Sequence, residues 1–189
     1  RISTETKSDM LKNKYGNKVI NLELGQTEES INFFNENNAI YYKDGNFKIT
    51  SGEFNPTDGG KTTIIVKGNL TISDNISYKS QPNLLSLQNL NSLGILVIDD
   101  GTKTKGNIII NSSAENIIGN FYAEGTISTG KSTKSLICNG SMIAHKFVFE
   151  RSYIGQGEDP SENIIYDGRM FANPPPGFLD FSKVVPRFS

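Results

Sequence analysis

Apolar and polar residues alternate along most of this chain in short bursts, each interrupted by a glycine and resumed after a small polar residue. Five stretches share that order. The first is Ala39-Ile40-Tyr41-Tyr42-Lys43-Asp44-Gly45-Asn46-Phe47-Lys48-Ile49, and the second is Ile64-Ile65-Val66-Lys67-Gly68-Asn69-Leu70-Thr71-Ile72. A polar insertion splits the third, with Ile95-Leu96-Val97-Ile98-Asp99-Asp100 before it and Gly106-Asn107-Ile108-Ile109-Ile110 after it. Asn120-Phe121-Tyr122-Ala123-Glu124-Gly125-Thr126-Ile127-Ser128 and Leu136-Ile137-Cys138-Asn139-Gly140-Ser141-Met142-Ile143-Ala144 complete the set. Alternation of this kind is the period of a strand with one buried face, and a Gly-Asn or Gly-Ser corner lets the chain turn with positive φ.

The corner glycines are 23, 38, 19 and 15 residues apart. Unequal spacing argues against a strict short repeat and suits a solenoid, in which each turn returns to the same corner while its loops vary in length. An antiparallel β-sandwich would show similar alternation, but the recurring strand–glycine–strand order favours an all-β, right-handed parallel β-solenoid of about five turns. Stacking its turns would bury a column of Ile, Leu, Val and Phe.

The ends read differently, giving three regions: a polar arm and helical cap over 1–38, solenoid repeats over 39–153, and a proline-rich cap over 154–189. Residues 1–16 are charged, with Met10, Leu11 and Tyr15 as their apolar stripe. A helix is expected over Gln26 to Glu36, capped by Thr27, with Glu28 and Glu29 at its positive end and Ile31 and Phe34 facing inward. At the other end, Pro174-Pro175-Pro176-Gly177 stops strand pairing. Phe178, Leu179, Phe181, Val184, Val185 and Phe188 then form an extended strap, expected to lie across the last turn.

Composition narrows the function. The 22 Ile and 21 Asn, with 18 Gly and no Trp, supply β-branched strand faces and turn-forming corners. Nineteen basic residues against 20 acidic ones make no net field to gather phosphates, so no nucleic-acid partner is expected. One cysteine, Cys138, and one histidine, His145, supply neither a disulfide framework nor a thiolate zinc cluster, and no metal or cofactor is expected. The apolar runs are too short to span a bilayer. The chain starts at Arg1, so a processed product is expected, and a membrane anchor upstream of this chain stays open.

The sharpest motif is Gly125-Thr126-Ile127-Ser128-Thr129-Gly130-Lys131-Ser132, which matches the P-loop pattern of nucleotide-binding proteins. Its context argues against that chemistry. Thr133 to Ser141 contains a turn where a helix should continue, Asp99-Asp100 precedes the loop rather than following it, and Gly125 already fills a repeat corner. Asp99-Asp100-Gly101 could offer oxygens to calcium, but the spacing of an EF-hand loop is absent and a solvated hairpin insertion over Asp99 to Lys105 is the better reading. Parallel solenoids also include polysaccharide-active enzymes, which need clustered carboxylates; Glu124, Glu150, Arg151 and Asp167 show no motif. No catalytic residue is assigned. Tyr41, Tyr42, Phe121 and Tyr122 could form an aromatic ladder along neighbouring turns, so Tyr41, Tyr42, Tyr122 and Glu124 are the candidate binding residues.

Lys61 to Arg151 resembles the β-solenoid ectodomains of bacterial surface proteins, including pilin-like, PilX-related pilus-associated proteins. The resemblance rests on Ile64 to Ile72, Ser92 to Ile98, Gly106 to Ile110 and Asn116 to Gly125, with Ile164-Ile165-Tyr166-Asp167 and Pro174-Pro175-Pro176-Gly177-Phe178 beyond. It implies an extracellular or cell-surface location and a non-enzymatic structural or adhesive role, with a protein partner, host surface or glycan as ligand. The repeats are also similar to bactofilins, cytoplasmic solenoids that polymerise end to end. The uneven turns, the Asp99 to Lys105 insertion and the elaborate ends depart from that pattern.

Overall fold

The computed structural model describes residues 18–56, 60–81, 86–101, 106–152 and 160–178. Their 13 strands wind into a parallel β-solenoid of about six turns. Turn 1 holds β1 (Lys18–Asn21) and β2 (Glu28–Ser30), turn 2 holds β3 (Ala39–Asp44), β4 (Phe47–Thr50) and β5 (Gly52–Phe54), and turn 3 holds β6 (Lys61–Lys67), β7 (Leu70–Ile72) and β8 (Ile76–Tyr78). Turn 4 begins with β9 (Ser92–Ile98) and β10 (Ile108–Ile110). The long strands β11 (Asn116–Ser128) and β12 (Leu136–Val148) then bend around the corners of turns 4 to 6, and β13 (Glu162–Ile165) closes the last turn.

Face A stacks β1, β3, β6, β9 and the middle of β11 and β12; face B stacks β2, β4, β7, β10 and the ends of β11 and β12. Face C carries β5 and β8, the starts of β11 and β12, and β13. Alternation within each strand sends every second residue inward, and register aligns those residues into columns. Tyr41, Ile64, Ile95, Phe121 and Met142 form one column on face A, while Phe47, Leu70, Ile108, Ile127 and Phe147 form one on face B. Burying each such side chain contributes roughly 1.5–3 kcal/mol.

The corner between faces A and B is built as the glycine–asparagine pattern predicts. Asn69 N donates to Asn46 Oδ1, Asn107 N to Asn69 Oδ1, and Thr126 N to Asn107 Oδ1, at 2.8–2.9 Å. Each side chain thus satisfies a backbone donor one turn above. Gly45, Gly68, Gly106 and Gly125 sit here, but Gly140 does not: it stacks on Gly119 at the corner between faces C and A. The same local grammar serves two corners, yet each of the five glycines marks a different turn, so the five expected turns fall short only by the first. Gly25 supplies the missing first corner, level with Gly45 because Glu28 pairs with Lys48.

The expected N-terminal helix is replaced by β2 and a single 3-10 turn, Ile31–Phe33. Edge strand β4 needs a hydrogen-bonding partner, and tertiary pairing overrides the capping signals. Glu28 forms a cross-strand ion pair with Lys48 instead of meeting a helix dipole. Ile31 and Phe34 do face inward and are fully buried. The solenoid therefore starts by Lys18 rather than at residue 39, and runs to Ile165 rather than to residue 153.

The C-terminal strap also lies elsewhere than expected. After β13 comes one short helix, α1 (Arg169–Ala172), and the chain then runs back over the outside of face A at turns 3 and 4. Thr63 Oγ1 donates to Pro176 O at 2.5 Å, Asn173 Nδ2 donates to Leu90 O, and the Phe178 ring fills the space where Gly94 would carry a Cβ. Leu179, Phe181, Val184, Val185 and Phe188 lie outside the described residues, as do Met10, Leu11 and Tyr15.

At Gly140, φ is +153° and a Cβ would stand 1.8 Å from Gly119 O, so Gly140→Ala should lower stability by more than about 1 kcal/mol. Asn69→Ala, which leaves Asn107 N without its acceptor, should cost about 1–3 kcal/mol. Urea unfolding followed by circular dichroism measures both.

Candidate binding groove

The stacked turns between faces B and C form an open groove of about 700 Å³. Three successive loops build it: Ser112 and Ser113 between β10 and β11, Lys131 to Lys134 between β11 and β12, and Glu150 and Ser152 after β12. Five hydroxyls, from Ser112, Ser113, Ser132, Thr133 and Ser152, line it beside two ammonium groups and one carboxylate. Lys134 is held by an ion pair with Glu115, and Glu150 accepts a hydrogen bond from Ser128 Oγ at 2.8 Å. Lys131 is exposed.

Arg151 fixes the floor. The side chain is buried, and its five N–H groups each reach a backbone carbonyl: Nε to Thr129, one terminal nitrogen to Lys134 and Ser135, the other to Asn111 and Ala114. The distances run from 2.7 to 3.4 Å. One guanidinium thus ties together the loops of turns 4, 5 and 6, which β-sheet pairing alone would leave unsatisfied. Burial pulls its pKa below the usual value, opposed by the Glu162 and Glu115 carboxylates. Glu162 Oε1 in turn accepts from Arg151 N and from the buried Thr129 hydroxyl.

The P-loop-like stretch is part of this construction. Gly125 to Ser128 lie on β11, Thr129 is fully buried, Gly130 turns with φ +66°, and Ser132 pairs with Arg151 as an isolated bridge. No helix follows, because the chain enters β12 at Leu136. The backbone amides that would cradle a phosphate at a helix start are used instead in pairing between turns, as Thr126 N with Asn107 Oδ1 and Thr129 N with Val148 O show.

The aromatic residues expected to bind do not converge. Tyr41 points inward, buried edge-to-face against Phe34 at 5.0 Å, because alternation places it in the face A column. Tyr42 and Tyr122 do share one outward column, but Ile65 and Leu96 stand between them, a separation of about 14 Å at about 4.8 Å per rung. Glu124 is exposed at the corner, where Oε2 accepts from Asp99 N at 2.8 Å. Of the scattered polar candidates, Glu150 lines the groove and Arg151 is buried among the loops that form it, while Asp167 lies apart in an ion pair with Arg169. Asp99 Oδ1 accepts from Gly101 N in a tight turn, and residues 102–105 of that insertion lie outside the described set.

Sequence reasoning missed the groove because it is made by loops of differing length whose hydroxyls meet only when the turns stack. The buried Arg151 offered a faint signal, a charged residue directly after a long alternating strand. Among the described residues no cluster of three His, Cys, Asp or Glu side chains gathers to hold a metal. Cys138 faces inward and is fully buried, while His145 stands exposed on β12.

The fold and groove define the chain as a parallel β-solenoid with a polar surface depression. No protein family, curated protein or solved structure matches it.

Arg151→Met should lower stability by at least about 3 kcal/mol, since buried carbonyls lose their donors, and Arg151→Lys should recover part of that because an ammonium offers three N–H groups. Thermal melts compare the two. Burial pushes the Cys138 thiol up to about 12, so iodoacetamide at pH 8 should leave the native chain unmodified and alkylate it only in denaturant, as read by mass spectrometry.

Proposed function

We propose that this chain is a structural and adhesive module of a bacterial surface or pilus assembly, and that its groove takes a saccharide. The observation that carries the reading is the groove itself, where hydroxyls, ammoniums and a carboxylate converge on an open surface held by Arg151. Such groups donate to and accept from the hydroxyls of a sugar, and the frame beneath them is pre-organised, so little ordering cost falls on binding. Lys131, exposed beside the groove hydroxyls, favours a saccharide bearing carboxylate or sulfate. The extracellular setting follows from the resemblance to bacterial surface solenoids, in which rigid stacked turns display such faces.

A glycan array probed with the intact chain tests this. Binding to acidic oligosaccharides is expected, and Lys131→Ala with Thr133→Ala should weaken it about tenfold or more, the worth of one charge-assisted hydrogen bond, with an unchanged melting temperature. Absence of any saccharide binding, or binding indifferent to both substitutions, would overturn the saccharide assignment.

A further inference from the structure

The segment from α1 to Phe178 lies on face A without joining its ladder. Its described backbone pairs run inside the segment: Phe171 N and Ala172 N donate to Gly168 O, Asn173 N to Arg169 O, and Phe178 N to Pro175 O. Side chains make the ties to the solenoid. Thr63 Oγ1 donates to Pro176 O, Asn173 Nδ2 to Leu90 O at 2.8 Å, and Arg169 to Asn91 O at 3.4 Å, while its guanidinium lies 4.3 Å over the Tyr78 ring. The Phe178 ring sits on Gly94. None of these contacts is a rung between strands, so lifting the segment breaks no described pair of β6 or β9.

The strip beneath it is incompletely satisfied. Asn173 anchors at Leu90 and Phe178 at Gly94, and between those points Ser92 faces outward on β9, two residues before Gly94. Ser92 is fully buried, and its hydroxyl has no hydrogen-bond partner. The neighbouring Asn91, also buried, leaves Oδ1 unpaired. An unpaired buried polar group has given up its hydration without compensation, so opening the segment returns Ser92 to water and offsets part of what the ring packing gains. The segment is also built to move as one piece. Pro174, Pro175 and Pro176 hold φ near a single value and carry no amide, which makes the run between Asn173 and Phe178 a short rod rather than a chain that frays residue by residue. Its join to β13 is exposed at Tyr166 and Gly168.

We propose that Arg169 to Phe178 form a latch, which lifts from face A as a unit while the solenoid beneath stays folded, so that closed and open forms exchange within the native state. The open form exposes Thr63, Ser92 and the slot over Gly94 that the ring vacates. These lie on face A, whereas the groove lies between faces B and C, so the latch is independent of the saccharide reading.

Amide exchange followed by NMR on the full chain, with urea raised in steps below the unfolding transition, tests the latch. The amides of Asn173 and Phe178 bracket the proline run. Their protection factors should agree within about threefold, lie about a hundredfold or more below those of Ile64 and Ile95, and change little with urea, as an opening that exposes little surface requires. Phe178→Ala should lower protection at both 173 and 178 by about tenfold or more with an unchanged circular dichroism spectrum, because the ring packs outside the core. Ser92→Ala should raise both by about threefold or more, since the closed form then buries no unpaired hydroxyl at that position. Protection at 173 and 178 equal to that of the core, a Phe178→Ala effect confined to its own amide, or Ser92→Ala leaving both amides unchanged or less protected would overturn the proposal.

Discussion

Every inward side chain of this solenoid is placed by the register in which one turn hydrogen-bonds to the next. A slip of one residue would exchange the inner and outer faces, turning Ile64 and Ile95 outward and Thr63 and Gly94 inward. Two devices hold the register at the corners. The Asn46, Asn69 and Asn107 side chains each accept an amide from the turn above, and glycines allow the backbones to approach where a Cβ at Gly68 would come within 2.7 Å of Gly45 C. Both act only between neighbouring turns, so stability accumulates along the stack.

Where loops interrupt that regularity, a different interaction takes over. Ladder hydrogen bonds do not reach the carbonyls of Asn111, Ala114, Thr129, Lys134 and Ser135, which turn inward at the corner of faces B and C. A planar guanidinium with five donors fits that arrangement, and removing it would leave polar groups buried without partners. The hydroxyls and lysines of the groove stand on this tied corner, so the same contact that stabilises the loops gives the surface its shape. Rigid stacking and a polar depression belong to one piece of construction.

The outside of face A is finished by the chain's own C-terminal segment. Gly94 is the position where the sheet makes room for the Phe178 ring, and the Thr63 hydroxyl, facing outward on the same rung, meets the Pro176 carbonyl. The strap lies over the face of the sheet, where no ladder edge is offered, so it covers β6 and β9 through ring packing and carbonyl acceptance. In the first turn Ile31 and Phe34 are buried and the Lys43 ammonium satisfies the carbonyls of Glu23 and Leu24 from within.

Much of the architecture was legible in the sequence because it is local. A glycine followed by asparagine and two alternating apolar residues has a preferred backbone and a preferred face wherever it occurs, so the parallel β-solenoid and the inward places of Leu70, Ile72, Ile108 and Ile110 could be read from residues alone. Which corner a glycine occupies could not, since Gly140 and Gly125 share one local pattern and differ only in the turn they stack against. Tyr41 and Tyr42 are adjacent aromatics, yet the register of β3 on β6 puts one in the core and the other outside. The acidic start at Glu28 suited a helix until β4 offered an edge to pair. Sequence alone settled the repeat strands and their periodicity, which depend on neighbours along the chain. The corner assignments, the groove tied by Arg151 and the path of the strap were decided by contacts between residues tens of positions apart, which only the stacked turns bring together.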